Sequence, residues 1–564
     1  MPALKAEDFG AISHNPGASD PGWVTRAEDA MRILGQLTAQ DEVVLYLSGS
    51  QAIVHGVLAP TRKLTQARVK ELQNASFPEG QDTWSICREI SSDGRAIRLE
   101  PPLGSWSDEF QGEKLIFRRE FNGVDRDRAA IELSQKLVHS LDLYFVAERN
   151  SYCRLDEHGD IEDVIRIIQQ PQGKDNFRLD LVTILRAELE KYMAVTKQSL
   201  VMRFDFTRLD TENFSGWNGV KTLHSDSRDL YYHHGLCRVG SFCNGVMVLR
   251  PSITVASLIK QWEMEDDRAS RRYADFKIYD RKNGRNVETS CAPECLSNYF
   301  EDSELPWELS PAFFRAEVLH LYKADPDKYS LEDRHISCRG SWYLRSYDQN
   351  EEGQVHAYIG DLAKLPFTVQ LYWQSFNEWP KGAISKRAHQ ADIRGSWDLD
   401  YEPVGALKNA IRELDRSAPA WWSPRGQELE AAVHIPATDS TKEWADEILA
   451  LDQYLVEGFL LKPLRVIADG VGKPAPSSWA SLRVIQEILC GVGNSETQAK
   501  AIVVPLQRLH ALRTEVRGHA TVQKKRAAES EARANHGSLR NHFVSLAGEC
   551  ERALDTIRVA LGAL

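Results

Sequence analysis

Residues 509–520 read Leu-His-Ala-Leu-Arg-Thr-Glu-Val-Arg-Gly-His-Ala, with five residues between Arg513 and His519. Arginine is a fixed, always-charged fork for phosphate, and histidine trades a proton near neutral pH. Brought together, the two suit cleavage of a phosphodiester. Along an unbroken helix six positions turn a side chain through about 600°, which leaves the pair about 120° apart. Gly518 is a residue on which a helix can end, and an end there lets His519 fold back beside Arg513. The alternative is that both side chains solvate a helix end, where cations offset the dipole. Around them Arg508, Arg517, Lys524, Lys525 and Arg526, followed by Arg533 and Arg540, make a local basic excess. Such an excess suits a short track of RNA phosphates, or else forms a solvated helix face.

The elements that must position these groups are helices. Beyond Ser440 the apolar residues recur every three or four positions, first as Trp444, Ile448, Leu451, Leu455 and Phe459. A second run carries Trp479, Leu482, Ile485 and Leu489, and a third carries Ile502, Leu506, Leu509 and Val516. Pro505 is expected to kink the third or to begin its regular part. The last run, Leu539, Phe543, Leu546, Cys550, Leu554, Ile557 and Leu561, steps without a miss. Ser440 with Glu443 and Ser495 with Gln498 form capping boxes. The spacing predicts a four-helix bundle over 440–564. His536, Asn541 and His542 then line the same cleft as Arg513 or cap the last helix.

In this part the chain resembles the HEPN superfamily, helical bundles of prokaryotic toxin, CRISPR-associated and phage-defence proteins. Its members carry an arginine, four to six residues, then a histidine after the third helix, and Arg513 and His519 match that spacing. The resemblance covers about 440–564. It implies metal-independent RNA cleavage in which the ribose 2′-oxygen attacks the adjacent phosphate, with His519 in proton transfer and Arg513 on the phosphate. It also implies a site built across a dimer. In active relatives the residue after the arginine is commonly Asn, Asp or His, whereas here it is Thr514. Other members of the superfamily only bind.

Ahead of the helices the pattern is mixed α+β. A loose arm over 1–20 is followed by a helix after Thr25, then by strands at 43–47 and 52–58. Residues 60–112 are polar and turn-rich, with a break at Pro101, Pro102 and Gly104. A strand starts at Leu115, helices are predicted at about 127–141 and 178–194, and a hairpin spans 144–169 about its turn at 157–160. Further strand signals lie at 204–206, 245–249 and 276–279, the last before an Asn283-Gly284 turn. Another hairpin is expected from 342–347 back to 355–359. The fold class is thus α+β with antiparallel sheet, followed by the all-α bundle. The expected domains are an N-terminal region 1–112, a central domain 113–379, a proline-rich boundary 380–439, and the bundle 440–564.

Two other groups of residues invite metal chemistry. His234, Cys237, Cys291 and Cys295 are the set from which a structural zinc site could be drawn, although no true CxxC pair is present. Buried thiols and satisfied histidines are the competing reading. Asp275 and Lys277, with Asp205, fit part of a Mg²⁺ nuclease core, or simple surface pairing. No other cofactor is called for: there is no Walker loop, no GxGxxG before a helix, no GxSxG elbow and no HExxH.

The 564 residues carry a formal charge of −12, which argues against a surface coated for long nucleic acids. A local basic site survives that balance because screening limits charge to about 8–10 Å. No 18-residue apolar run predicts a membrane span, and the first 20 residues show no secretory pattern. Nine cysteines scattered along the chain read as reduced thiols, so the cytoplasm is the expected location. The expected function is an RNA-cleaving or RNA-binding effector of the defence or toxin kind, with the α+β body as sensor. The alternative is a non-catalytic scaffold or sensor subunit whose bundle serves oligomerisation, in a homo-oligomer or with a partner protein.

Overall fold

The computed structural model describes residues 28–35, 41–49, 52–72, 85–100, 113–121, 125–172, 177–209, 221–237, 240–266, 271–396, 402–517 and 522–562. The arm at 1–20, the break at Pro101, Pro102 and Gly104, and Gly518 with His519 lie outside them. The chain forms two compact units, Met1–Asp156 with Ile161–Arg271, and Glu157–Asp160 with Arg272–Leu564.

The first unit is built on an 11-stranded sheet whose pairings are all antiparallel. Its order is Lys221–Ser227, Leu230–Cys237, Gly240–Leu249, Gln198–Leu209, Ala52–Pro60, Glu42–Ser48, Phe177–Leu185, Ile161–Gln172, Ser151–Leu155 and Tyr144–Val146, with Glu113–Lys114 beside Ala52–Pro60. Val43, Val44, Leu45 and Leu47 are all buried, so this strand is covered on both faces and reads as an apolar run rather than an alternation. The predicted hairpin about 157–160 is present as Ser151–Leu155 and Ile161–Gln172.

Two predicted helices begin as strands and are helical only in their later parts. Asp125–Leu133 is a strand paired with Ile116–Phe121, and only Gln135–Ser140 is helical. Ala129 and Leu133 are buried while Ala130 and Glu132 are exposed, a period of two that short apolar spacing did not separate from a helix. Phe177–Leu185 lies between two strands, and the helix begins only at Arg186.

The second unit contains a six-stranded and a three-stranded sheet followed by helices. Asp275–Asp280 and Arg285–Ser290 form the hairpin expected from Asn283-Gly284, and Gly284 supplies the turn's positive φ of 63°. Trp342–Arg345 does not return to Val355–Tyr358 as expected. It pairs with His335–Cys338, and Ser346 at φ 60° ends the strand. Val355–Tyr358 pairs with Pro311–Phe314 and Asp348–Gln349. The core of these sheets is aromatic, with Phe314 edge-on to Trp373 at 4.8 Å and Trp373 Nε1 donating to Tyr322 Oη at 2.7 Å.

Each of the four expected helices is present, as Thr441–Leu455, Ser481–Gly491, Glu496–Arg517 and Leu539–Gly562, although Phe459 lies beyond the first and Trp479 ahead of the second. The helical region is larger than these four, with Leu461–Gly470 and Val522–His536 between them. It also begins earlier than the boundary 380–439 implied. Pro403–Ser417 is a helix whose Val404, Leu407, Ile411 and Leu414 enter the same core as Trp444 and Leu561. Pro403 starts this helix rather than breaking it, because its missing N–H is one a first turn leaves unpaired. Gly458 is held small by Trp422: a Cβ there would stand 2.4 Å from the indole.

Candidate active site on the Glu496–Arg517 helix

The helix is started by the predicted box, in which Gln498 N donates to Ser495 Oγ at 3.3 Å and Ser495 N donates to Gln498 Oε1 at 3.0 Å. It buries Ala499, Val503, Leu506, Leu509 and Val516. That stripe leaves His510 and Arg513, three positions apart, as neighbours on one flank.

Both meet one carboxylate. Asp452 lies on Thr441–Leu455 among the buried Ile448, Leu451 and Leu455, and its side chain is fully buried. Arg513 Nη1 donates to Asp452 Oδ2 at 2.9 Å, and His510 Nδ1 stands 3.1 Å from Oδ1. Burial raises the Asp452 carboxyl above its usual range, while the bonds from His510 and Arg513 pull it back. A carboxylate that takes Nδ1–H fixes the imidazole tautomer and aims Nε2 away. The His510 side chain is 51% exposed, and among the described residues its Nε2 makes no hydrogen bond. Arg513 is also tied at 2.8 Å to Glu457 Oε1. The arrangement is a half-exposed histidine oriented by a buried acid, beside a guanidinium with donors to spare. It can pass a proton at Nε2 and hold an anionic oxygen at the arginine.

Of the predicted pair, Arg513 is therefore placed in this cluster, and His519 lies outside the described residues. Asp452 and His510 were missed in the sequence. The available signal was Asp452 four positions after Ile448 in an apolar stripe, a position where a carboxylate needs a partner.

The basic residues divide. Arg517 pairs with Asp446, Arg533 with Asp439 and Glu529, and Arg540 donates to the Pro436 carbonyl. Lys524, Lys525 and Arg526, on Val522–His536, make no ion pair among the described residues. Arg508 Nη2 faces His542 Nε2 at 3.5 Å. His542 is buried, and its Nδ1 accepts from Trp444 Nε1 at 3.3 Å. Burial, then Arg508 and His536, push its pKa down to about 4, so it is a neutral core acceptor. Asn541 donates to the His536 carbonyl at the start of the last helix.

The candidate zinc ligands fall in both units. His234 and Cys237 lie on Leu230–Cys237, where His234 Nδ1 is 3.3 Å from Glu28 Oε2 and its ring stacks on His224. Cys237's side chain is outside the described residues. Cys291 is buried, with its Sγ 3.2 Å from Gln370 Oε1, and Cys295 ends a short turn of helix. Among the described residues no three His, Cys, Asp or Glu side chains are grouped to hold a metal. Asp205 is likewise in the first unit, held by Thr207, whereas Asp275 and Lys277 are in the second. No helix among the described residues is long and apolar enough to cross a membrane. Compared with known proteins, the chain matches no family model, no curated protein and no solved structure.

Proposed function

We propose that the C-terminal helical region is an HEPN-like module that cleaves RNA without a metal. In this reading Thr441–Leu455, Ser481–Gly491, Glu496–Arg517 and Leu539–Gly562 form the four-helix unit, and Pro403–Ser417 is an addition to it. The observation that carries the proposal is the shared buried carboxylate, Asp452, between His510 and Arg513. Arg513 neutralises the phosphate as the ribose 2′-oxygen attacks it. His510 Nε2 and His519 divide the proton transfers, one taking the 2′-hydroxyl proton and the other giving a proton to the departing 5′-oxygen. Asp452 is a positioning residue, because it acts on the substrate only through His510 and Arg513. Lys524, Lys525 and Arg526 hold flanking phosphates.

The test is cleavage of total RNA by the full chain with EDTA present throughout. Arg513→Ala, His519→Ala and His510→Ala are each expected to slow it by about 10²–10⁴-fold. Cleavage absent from the wild type even with cell extract added, or unchanged in all three variants, overturns the proposal. The helices then stand as an interface of a scaffold or sensor subunit.

A further inference from the structure

The second unit holds a cleft of about 680 Å³, walled on one side by the Tyr329–Glu332 and Asp348–Gln349 strands and on the other by the Pro403–Ser417 helix and Arg540. That volume is typical of a small-molecule site. The carboxylates that line it have partners. Asp348 receives Arg387 Nε at 2.8 Å and Nη2 at 2.7 Å, Glu430 receives Arg412, and Glu402 caps the Pro403–Ser417 helix through Val404 N and Gly405 N.

Among the described residues two cations of the same wall make no direct ion pair. Lys408 Nζ makes no hydrogen bond or ion pair among the described residues. Arg540 spends Nη1 on the Pro436 carbonyl at 2.8 Å and pairs with no acid there. Burial lowers the pKa of both, against the opposing pull of Glu430 on Lys408 and of Asp348 on Arg540. Gln349 Oε1, also on the wall, is buried and accepts no hydrogen bond among the described residues. Desolvated cations that nearby acids act on only through space, with no direct ion pair, are costly, and an anion bound between them repays that cost. A monocarboxylate brings a single charge and leaves one cation unmatched. A phosphate monoester brings two charges and three acceptor oxygens, enough for an arginine fork and a lysine together. The cleft has room beyond the phosphate for an organic body against Tyr329.

We propose that this cleft binds a small phosphate monoester, with Lys408 and Arg540 as the two anchors of its phosphate. The assignment is independent of the RNA-cleaving reading.

The experiment is calorimetric titration of the full chain with adenosine monophosphate, glucose 6-phosphate, inorganic phosphate and benzoate. At least one ester is expected to bind saturably and at least tenfold more tightly than benzoate. Lys408→Met and Arg540→Met are each expected to weaken it tenfold or more. Without ligand, Lys408→Met is expected to raise the unfolding temperature of the second unit, since methionine replaces a lone ammonium. If Arg540→Met does not fold, Lys408→Met alone decides the anchor. The proposal fails if no ester binds, if benzoate or inorganic phosphate alone binds as well as the esters, or if the folded variants bind as the wild type does.

Discussion

Charge is handled differently in the sheet unit and in the helical region. In the sheet unit Arg166 grips Glu42 with two nitrogens, both at 2.6 Å, and Thr183 adds a third donor to the same carboxylate. Arg154 bridges Glu162 and Glu188, and Arg250 takes Asp229 two-pronged. These pairs are saturated by their own neighbours. In the helical region the buried Asp452 is held by a histidine whose far nitrogen makes no hydrogen bond among the described residues, and Lys408 makes no direct ion pair there, though Glu430 lies near enough to act on it. Saturated pairs fix strands in register. Unsaturated ones leave a proton or a charge available for chemistry.

Acid should separate the two units most. His356, His434 and His542, all in the second unit, have pKa values lowered by burial to about 4, about 3 and about 4. They are neutral in the fold, and the unfolded chain protonates first as pH falls below 6.5. Their contribution is present above pH 6.5 and is lost progressively toward pH 4, and toward pH 3 for His434, on the order of several kcal/mol for the three. In the sheet unit Asp163 is lowered by its bond to Arg149, and Glu188 is lowered by Arg154 and Lys191 against the opposing effect of burial. Those carboxylates contribute above their unfolded pKa, and that share is lost only below about pH 4.5. Scanning calorimetry down this pH range should show the second unit's transition falling first, and transitions that fall together would break the comparison.

A smaller effect comes from opening one saturated pair. Glu42→Gln leaves Arg166 facing an amide and should destabilise the sheet unit by about 2 kcal/mol, read from its urea midpoint. Asp452→Asn is the matching change at an unsaturated site. It removes a buried charge, so stability should move by less than about 1 kcal/mol in either direction while RNA cleavage falls. A loss of stability as large as that of Glu42→Gln would make Asp452 a structural residue. Smallest is Lys364→Ala, which opens an exposed pair with Asp361 and should move stability by less than about 0.5 kcal/mol in the same urea titration.

Much of the helical region was legible because each helix carries its own period. Leu539 to Leu561 steps by threes and fours with no partner needed to recognise it, and the capping box at Ser495 stands where its spacing put it; at Ser440 only half forms, since Glu443 N donates to Ser440 Oγ while the Glu443 carboxylate takes Ala437 N and Thr438 N. The strands that were misread, Asp125–Leu133 and Phe177–Leu185, owe their state to pairing with other segments, which a local window does not contain. The site divides in the same way. Arg513 is visible from its own helix, but the carboxylate that orients it comes from 61 residues earlier, and His510 gains meaning only beside Asp452. The zinc candidates are divided between the two units, and among the described residues no three His, Cys, Asp or Glu side chains are grouped to hold a metal.

The Ala52–Pro60 strand lies against Gln198–Leu209, and the Thr61–Ser199 hydroxyl contact at their end closes a separation of 138 residues. On a ribosome adding about 5–20 residues per second, the later strand follows by roughly 7–30 s. For that interval Val54 and Leu58, fully buried in the finished sheet, lack the strand Gln198–Leu209 and have Glu42–Ser48 and, once made, Glu113–Lys114 as strand neighbours. The nascent chain is therefore most vulnerable to misassociation before Gln198–Leu209 emerges, and slower translation between the two strands lengthens the exposure.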